Sequence, residues 1–112
     1  MLNKKYRFHS RGGVRYVYQK GKTIRSPKMS LVFVSNSRGF TRFAVVVSKK
    51  VEKLAVNRNR IRRKIYEVIR ANLDSIPDKT DYIFVVFDKG LLKMKNDEIA
   101  EIMSKLISDS KV

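Results

Sequence analysis

Hydrophobic spacing changes several times along this chain, and each change predicts an element. Val14, Val17 and Tyr18 fall at i, i+3 and i+4, which predicts a short helix with Ser10 as its N-cap and Gly21 just past its end. Lys22 to Lys28, with Pro27 inside it, reads as a basic connecting loop. Met29 to Val34 and Phe40 to Val47 are apolar runs of strand length, the second ending in the stiff, β-branched Val45-Val46-Val47. Ser35-Asn36-Ser37-Arg38-Gly39 between them has hairpin composition, so the two runs are expected to pair antiparallel.

From about Val56 the period becomes helical. Ile61, Ile65, Val68, Ile69, Asn72, Leu73 and Ile76 form one stripe, with Arg60, Arg63, Glu67 and Arg70 roughly opposite. Pro77 closes this helix, and Tyr82 to Phe87 is a third strand-length run. Asn96 can cap a last helix, with Asp97 and Glu98 complementing its dipole and Ile99, Ile102, Met103, Leu106 and Ile107 as its buried stripe. The expected order is α-β-β-α-β-α. The strand–helix–strand middle implies that the second and third strands lie parallel, so the expected fold class is an α+β two-layer sandwich with a mixed sheet. At 112 residues, with no linker or repeat, residues 1–112 are expected to form a single domain, with 1–9 a mobile basic arm.

Charge turns this fold prediction into a functional one. There are 26 Lys and Arg against 10 Asp and Glu, a formal net charge of +16, far more than solubility requires and costly through self-repulsion. Residues 1–70 hold 20 basic and 2 acidic side chains, residues 71–112 hold 6 and 8. A polyanion is therefore the expected partner, bound by the first two-thirds of the chain. The chain has no cysteine, so disulfides and thiolate metal sites are excluded and the cytoplasm is the expected location. No apolar stretch resembles a signal peptide or a membrane span, and no membrane partner is expected.

The densest cluster is Arg58, Asn59, Arg60, Arg62, Arg63 and Lys64, at the start of the long helix. Five cations there oppose the helix dipole and repel each other, a cost that an RNA backbone would offset through bidentate arginine contacts. Lys49 and Lys50 leave the preceding strand and extend the same patch. Eight aromatic side chains, Tyr16, Tyr18, Phe33, Phe40, Phe43, Tyr82, Phe84 and Phe87, offer rings on which unpaired bases could stack. In so small a domain most must be core, and two or three are expected to face solvent.

Val47-Ser48-Lys49-Lys50, followed closely by Ala55-Val56-Asn57-Arg58-Asn59-Arg60-Ile61 opening a long helix, resembles the protein component of bacterial ribonuclease P. The resemblance spans nearly the whole chain, including the basic arm, the first helix ending at Gly21 and the Asp81-Tyr82-Ile83 start of the third strand. It implies a subunit of an endoribonuclease, a hydrolase that removes the 5′ leader of precursor tRNA. The catalytic RNA performs the cleavage with Mg2+, and the protein binds no cofactor or small-molecule substrate and carries no catalytic residue. It implies that Arg58, Asn59, Arg60, Arg62, Arg63 and Lys64, with Lys49 and Lys50, contact the catalytic RNA or precursor tRNA. It also implies a leader-binding cleft at Tyr18 and Phe33, with Val14 standing where the family often has an aromatic, and a left-handed crossover between the parallel strands.

Two other classes compete. A ribosomal or other structural RNA-binding protein would share the charge but need no leader cleft. An independent nuclease finds little support: His9 is the sole histidine, so a His pair for acid–base cleavage is excluded. Asp74, Asp78, Asp81 and Asp88 stand at element ends, where carboxylates commonly cap and solubilise.

Overall fold

Successive strand side chains point to opposite faces of one sheet, and helices cover both faces. The computed structural model describes residues 6–7, 11–36, 41–76 and 79–110. Its elements are α1 (Arg11–Lys20), β1 (Lys22–Arg25), β2 (Met29–Ser35), β3 (Arg42–Val47), α2 (Ala55–Ala71), β4 (Thr80–Val86) and α3 (Asn96–Ser110), with single 3-10 turns at Leu73–Ser75 and Lys89–Leu92. The α+β mixed-sheet architecture is as expected, with one strand more than predicted. Ser10, residues 37–40, Pro77 and Asp78 lie outside the described residues.

The sheet order is β1-β2-β4-β3. β3 and β4 are parallel, as the intervening α2 requires. The predicted hairpin pairing of β2 with β3 does not form, because β4 inserts between them and pairs antiparallel with β2. β4 has the most continuous apolar run, with Tyr82, Ile83 and Phe84 at most 1% exposed, and only a central position buries both faces of such a strand. The expected loop at Lys22 to Lys28 is also corrected, since Lys22–Arg25 forms β1, antiparallel to β2. One apolar residue among cations gave no strand signal, but a tight Ser26–Met29 turn closed by Ser26 N–H to Met29 O at 2.9 Å sets the pairing.

Met29, Leu31, Phe43, Val45, Tyr82, Phe84 and Val86 face α2 and α3 and form the main core with Ile61, Ile65, Ile69, Ile99 and Met103. The rings of Phe43 and Tyr82 stack within it at 5.6 Å. The other face carries Val32, Ala44 and Ile83, covered by Val17 of α1. Ile61, Ile65 and Ile69 are fully buried, each stabilising by about 1.5–3 kcal/mol. That burial outweighs the dipole penalty on the helix's cationic start, about 0.3–1 kcal/mol per charge, so α2 forms despite it. Gly21 joins α1 to β1 where an added Cβ would lie 2.5 Å from Val17 O and 2.6 Å from Phe33 O, so only glycine passes there.

Candidate nucleic-acid interface

Three consecutive helical residues point about 100° apart, so Arg58, Asn59 and Arg60 cannot present one flat surface. Arg58 turns back toward the approach to α2, its Nη1 donating to Glu52 O at 2.9 Å and Lys53 O at 2.8 Å. It therefore ties down the segment before the helix, a local structural role that the RNA-contact reading did not anticipate. The signal was the turn itself: Leu54 supplies no side-chain cap, and its N–H is instead met by Glu52 Oε1 at 3.2 Å. Asn59 is exposed and accepts from Arg62 Nη1 at 2.7 Å. Lys64 donates to Met94 O at 2.6 Å and links α2 to the segment before α3.

Arg60 and Arg63 are different. Both are exposed, and among the described residues neither has a hydrogen-bond or ion-pair partner. With Lys64, Glu67, Leu92 and Asn96 they border an open groove of about 430 Å³. Glu67 is the groove's carboxylate, paired with Arg70 at 3.1 Å. Lys49 and Lys50 are likewise exposed, on a turn in which Ser48 O accepts from Val51 N–H at 3.1 Å and Glu52 N–H at 3.2 Å. Because β3 and β4 are parallel with Val47 opposite Val86, this turn leaves the sheet beside Phe87 at the carboxyl ends of both strands. On the flank of α2 away from the groove, Arg7 lies over the Tyr66 ring, 5.7 Å from its centroid, and bridges to Phe43 on the edge strand. Burial raises the Tyr66 phenol above its ordinary range, with Arg7 the chief opposing influence. Tyr6 packs against the main core, so the expected arm is seated on the domain at residues 6 and 7. Its remaining residues, His9 included, lie outside the described set.

The aromatic expectation divides. Tyr18 is 46% exposed, and partial burial raises its phenol above the usual range. Val14 and Tyr18 are i, i+4 neighbours on one flank of α1, and Val14, like Val34, Val46 and Val85, packs against the Val17, Val32, Ala44 and Ile83 cluster on the half-covered sheet face. Phe33 does not join them. It packs against the core under α2 and α3, and the strand residue that meets α1 is its neighbour Val32. Side chains alternate between faces in a strand, so a shift of one position moves the candidate to the opposite side of the sheet. Tyr16 and Phe87, not singled out beforehand, are the other exposed rings among the described residues, at 53% and 47%. Phe87 N–H donates to Lys28 O at 2.9 Å, continuing the β4 ladder, and alternation places its ring in the row of Ile83 and Val85.

The acidic residues also sort by contact. Asp81 is buried, accepting from Arg42 Nε at 3.0 Å, Arg42 Nη2 at 2.8 Å and Asn36 Nδ2 at 2.7 Å. It is an internal ion-pair residue, not a solubilising end residue. Asp88 caps the 3-10 turn through Gly90 N–H at 2.7 Å and pairs with Lys28 at 3.2 Å. Among the described residues no group of three or more His, Cys, Asp or Glu converges to hold a metal ion, and no helix is long and apolar enough to cross a membrane.

The family model described as Ribonuclease P matches residues 2–111. The ribonuclease P protein component of Pseudanabaena sp. (strain PCC 6903) is 33% identical over 114 residues, covering 100% of this chain and 97% of that protein. That of Blochmanniella floridana is 31% identical over 105 residues, covering 94% and 87%. Among solved structures, the RNase P protein of Staphylococcus aureus superposes with a TM-score of 0.81 at 24% identity, covering 96% of each chain. That of Thermotoga maritima superposes with 0.81 at 22%, covering 90% of this chain and 94% of its own. Both share the fold.

Proposed function

Since the chain belongs to the ribonuclease P protein component family, we propose that it binds the catalytic RNA of that ribonucleoprotein together with the 5′ leader of precursor tRNA. The observation that carries this reading is the gathering of exposed cations without internal partners, Lys49, Lys50, Arg60 and Arg63, around the start of α2. Such cations offset no charge inside the protein, so their repulsion is relieved only by an external polyanion. We assign these four to backbone phosphate, and Tyr18 with Val14 and the half-buried Val46 and Val85 to the leader, whose unpaired bases need an apolar surface. The cleavage chemistry, with the Mg2+ it requires, is assigned to the RNA subunit. This chain's contribution is binding and alignment of the leader, which lowers the magnesium needed to hold two polyanions together.

The test is cleavage of a precursor tRNA by a bacterial ribonuclease P RNA at low, near-physiological magnesium, with and without the protein. Accurate 5′ maturation restored by the protein, with no cleavage by the protein alone, supports the reading. Binding that changes neither rate nor substrate affinity would instead favour a structural RNA-binding role. Within the same assay, Tyr18→Ala is expected to weaken precursor binding by about 1–3 kcal/mol through loss of one stacked base, leaving mature tRNA affinity unchanged. Equal losses for precursor and mature tRNA would remove Tyr18 from the leader site.

A further inference from the structure

Lys20, Lys22, Arg25 and Lys28 run from the end of α1 along β1 into its turn, and no acidic residue precedes Glu52 in the chain. Cations on an edge strand deter pairing with other sheets, which by itself accounts for exposed Lys22 and Arg25. It does not account for what lies beside them. Between the Ser26–Met29 turn and α3 is a groove of about 330 Å³. Pro27 and Ile102 supply its apolar surface over the buried Leu106, and Arg25 at the end of β1, Lys105 on α3 and Asp109 border it.

The turn wall is preorganised. Besides the backbone bond that closes it, the Ser26 hydroxyl donates to Met29 O at 2.6 Å and accepts from Met29 N–H at 3.3 Å. Lys28 is held by Asp88 at 3.2 Å. With the Lys28 charge shared in that pair, Arg25 and Lys105 are the available cations, neither having an ion-pair partner among the described residues. The volume lies at the low end of the roughly 300–1,000 Å³ of ligand pockets, so it admits a single nucleotide and excludes a duplex. An apolar floor bordered by two cations matches a base lying against Pro27 and Ile102 with flanking phosphates at Arg25 and Lys105.

We infer that this groove is a second RNA contact, holding one unpaired nucleotide of an RNA whose main footing is the cluster on α2. The inference rests on the RNA-binding reading above. The two contacts are separate, since β1 and β3 are opposite edges of the sheet, three strand spacings or about 14 Å apart. α3 packs on β1 and β2 while α2 packs on β3.

The test is a titration of the full chain with an oligouridylate decamer, following the methyl signals of Ile102 and Leu106 and the salt dependence of affinity. Three forms are compared: the parent, Arg25→Ala with Lys105→Ala, and Arg60→Ala with Arg63→Ala. Both methyl signals are expected to move in the parent. The groove variant should lose those shifts, with its log–log salt slope shallower by about 0.7 for each phosphate contact removed and its thermal midpoint unchanged. The α2 variant should keep the groove shifts, at higher RNA concentration. Motionless Ile102 and Leu106 signals with an unaltered slope in the groove variant, alongside weakened binding by the α2 variant, would overturn the inference and leave the cations as edge protection. Parent-like binding by both variants would remove the α2 reading as well. Shifts produced by a glutamate-rich peptide and not by RNA would overturn it in favour of a protein partner.

Discussion

Replacing Arg60 and Arg63 together with alanine is expected to weaken binding to the catalytic RNA by about a hundredfold to ten-thousandfold. Neither guanidinium has an internal partner among the described residues, so the protein loses nothing by their removal. Each bidentate contact to phosphate contributes about 1.5–3 kcal/mol. The slope of log affinity against log salt should become shallower by about 0.7–0.9 per phosphate lost. Arg58 is the control. Its Nη1 is engaged with the carbonyls of Glu52 and Lys53, so Arg58→Ala is expected to cost about 1–3 kcal/mol of stability with little change in slope. Filter binding across a salt series, paired with urea unfolding of each variant, separates the two outcomes. An unaltered slope for the Arg60 and Arg63 variant would mean those side chains do not meet phosphate.

Replacing Asp81 with alanine is expected to destabilise the fold by about 3–5 kcal/mol, a large share of the 5–15 kcal/mol available to a domain. The Asp81 and Arg42 side chains are 4% and 16% exposed and joined by two hydrogen bonds. Removing the carboxylate leaves a largely desolvated guanidinium, and Asn36 loses an acceptor at 2.7 Å. The pair spans β3 and β4, and Asn36 follows β2, so one carboxylate anchors three strands. A second substitution at Arg42, to methionine, should recover much of the loss, because the cost is mainly that of a largely buried charge deprived of its carboxylate. The urea midpoint checks this. A midpoint unmoved by Asp81→Ala would show that water reaches the guanidinium freely.

Much of the site was legible before any coordinates. The cluster from Arg58 to Lys64 and the adjoining Lys49 and Lys50 stand out from charge density and dipole cost, while the exposed Tyr18 was pointed to by the family resemblance. Which arginines stay available to a ligand was not legible. It depends on carbonyls at Glu52 and Lys53 that only the approach to α2 brings within reach of Arg58. The cleft that the family resemblance implies met the structure by half: Val14 and Tyr18 are i, i+4 neighbours on α1, but the side of the sheet taken by Phe33 turned on a single position in β2.

By itself the amino-acid sequence determined the helices with their buried stripes, the parallel relation of the strands flanking α2, and the concentration of positive charge in the first 70 residues. These follow from local periodicity and composition, because 3.6-residue and 2-residue repeats are properties of neighbouring residues in one segment. Strand order, the existence of β1, the burial of Asp81 and the partners of Arg58 and Lys64 were decided only by tertiary structure. Each depends on which distant segment completes a hydrogen bond or covers an apolar face. β4 took the central place because burying Ile83 and Phe84 on opposite faces requires neighbours on both of its edges and helices on both of its faces.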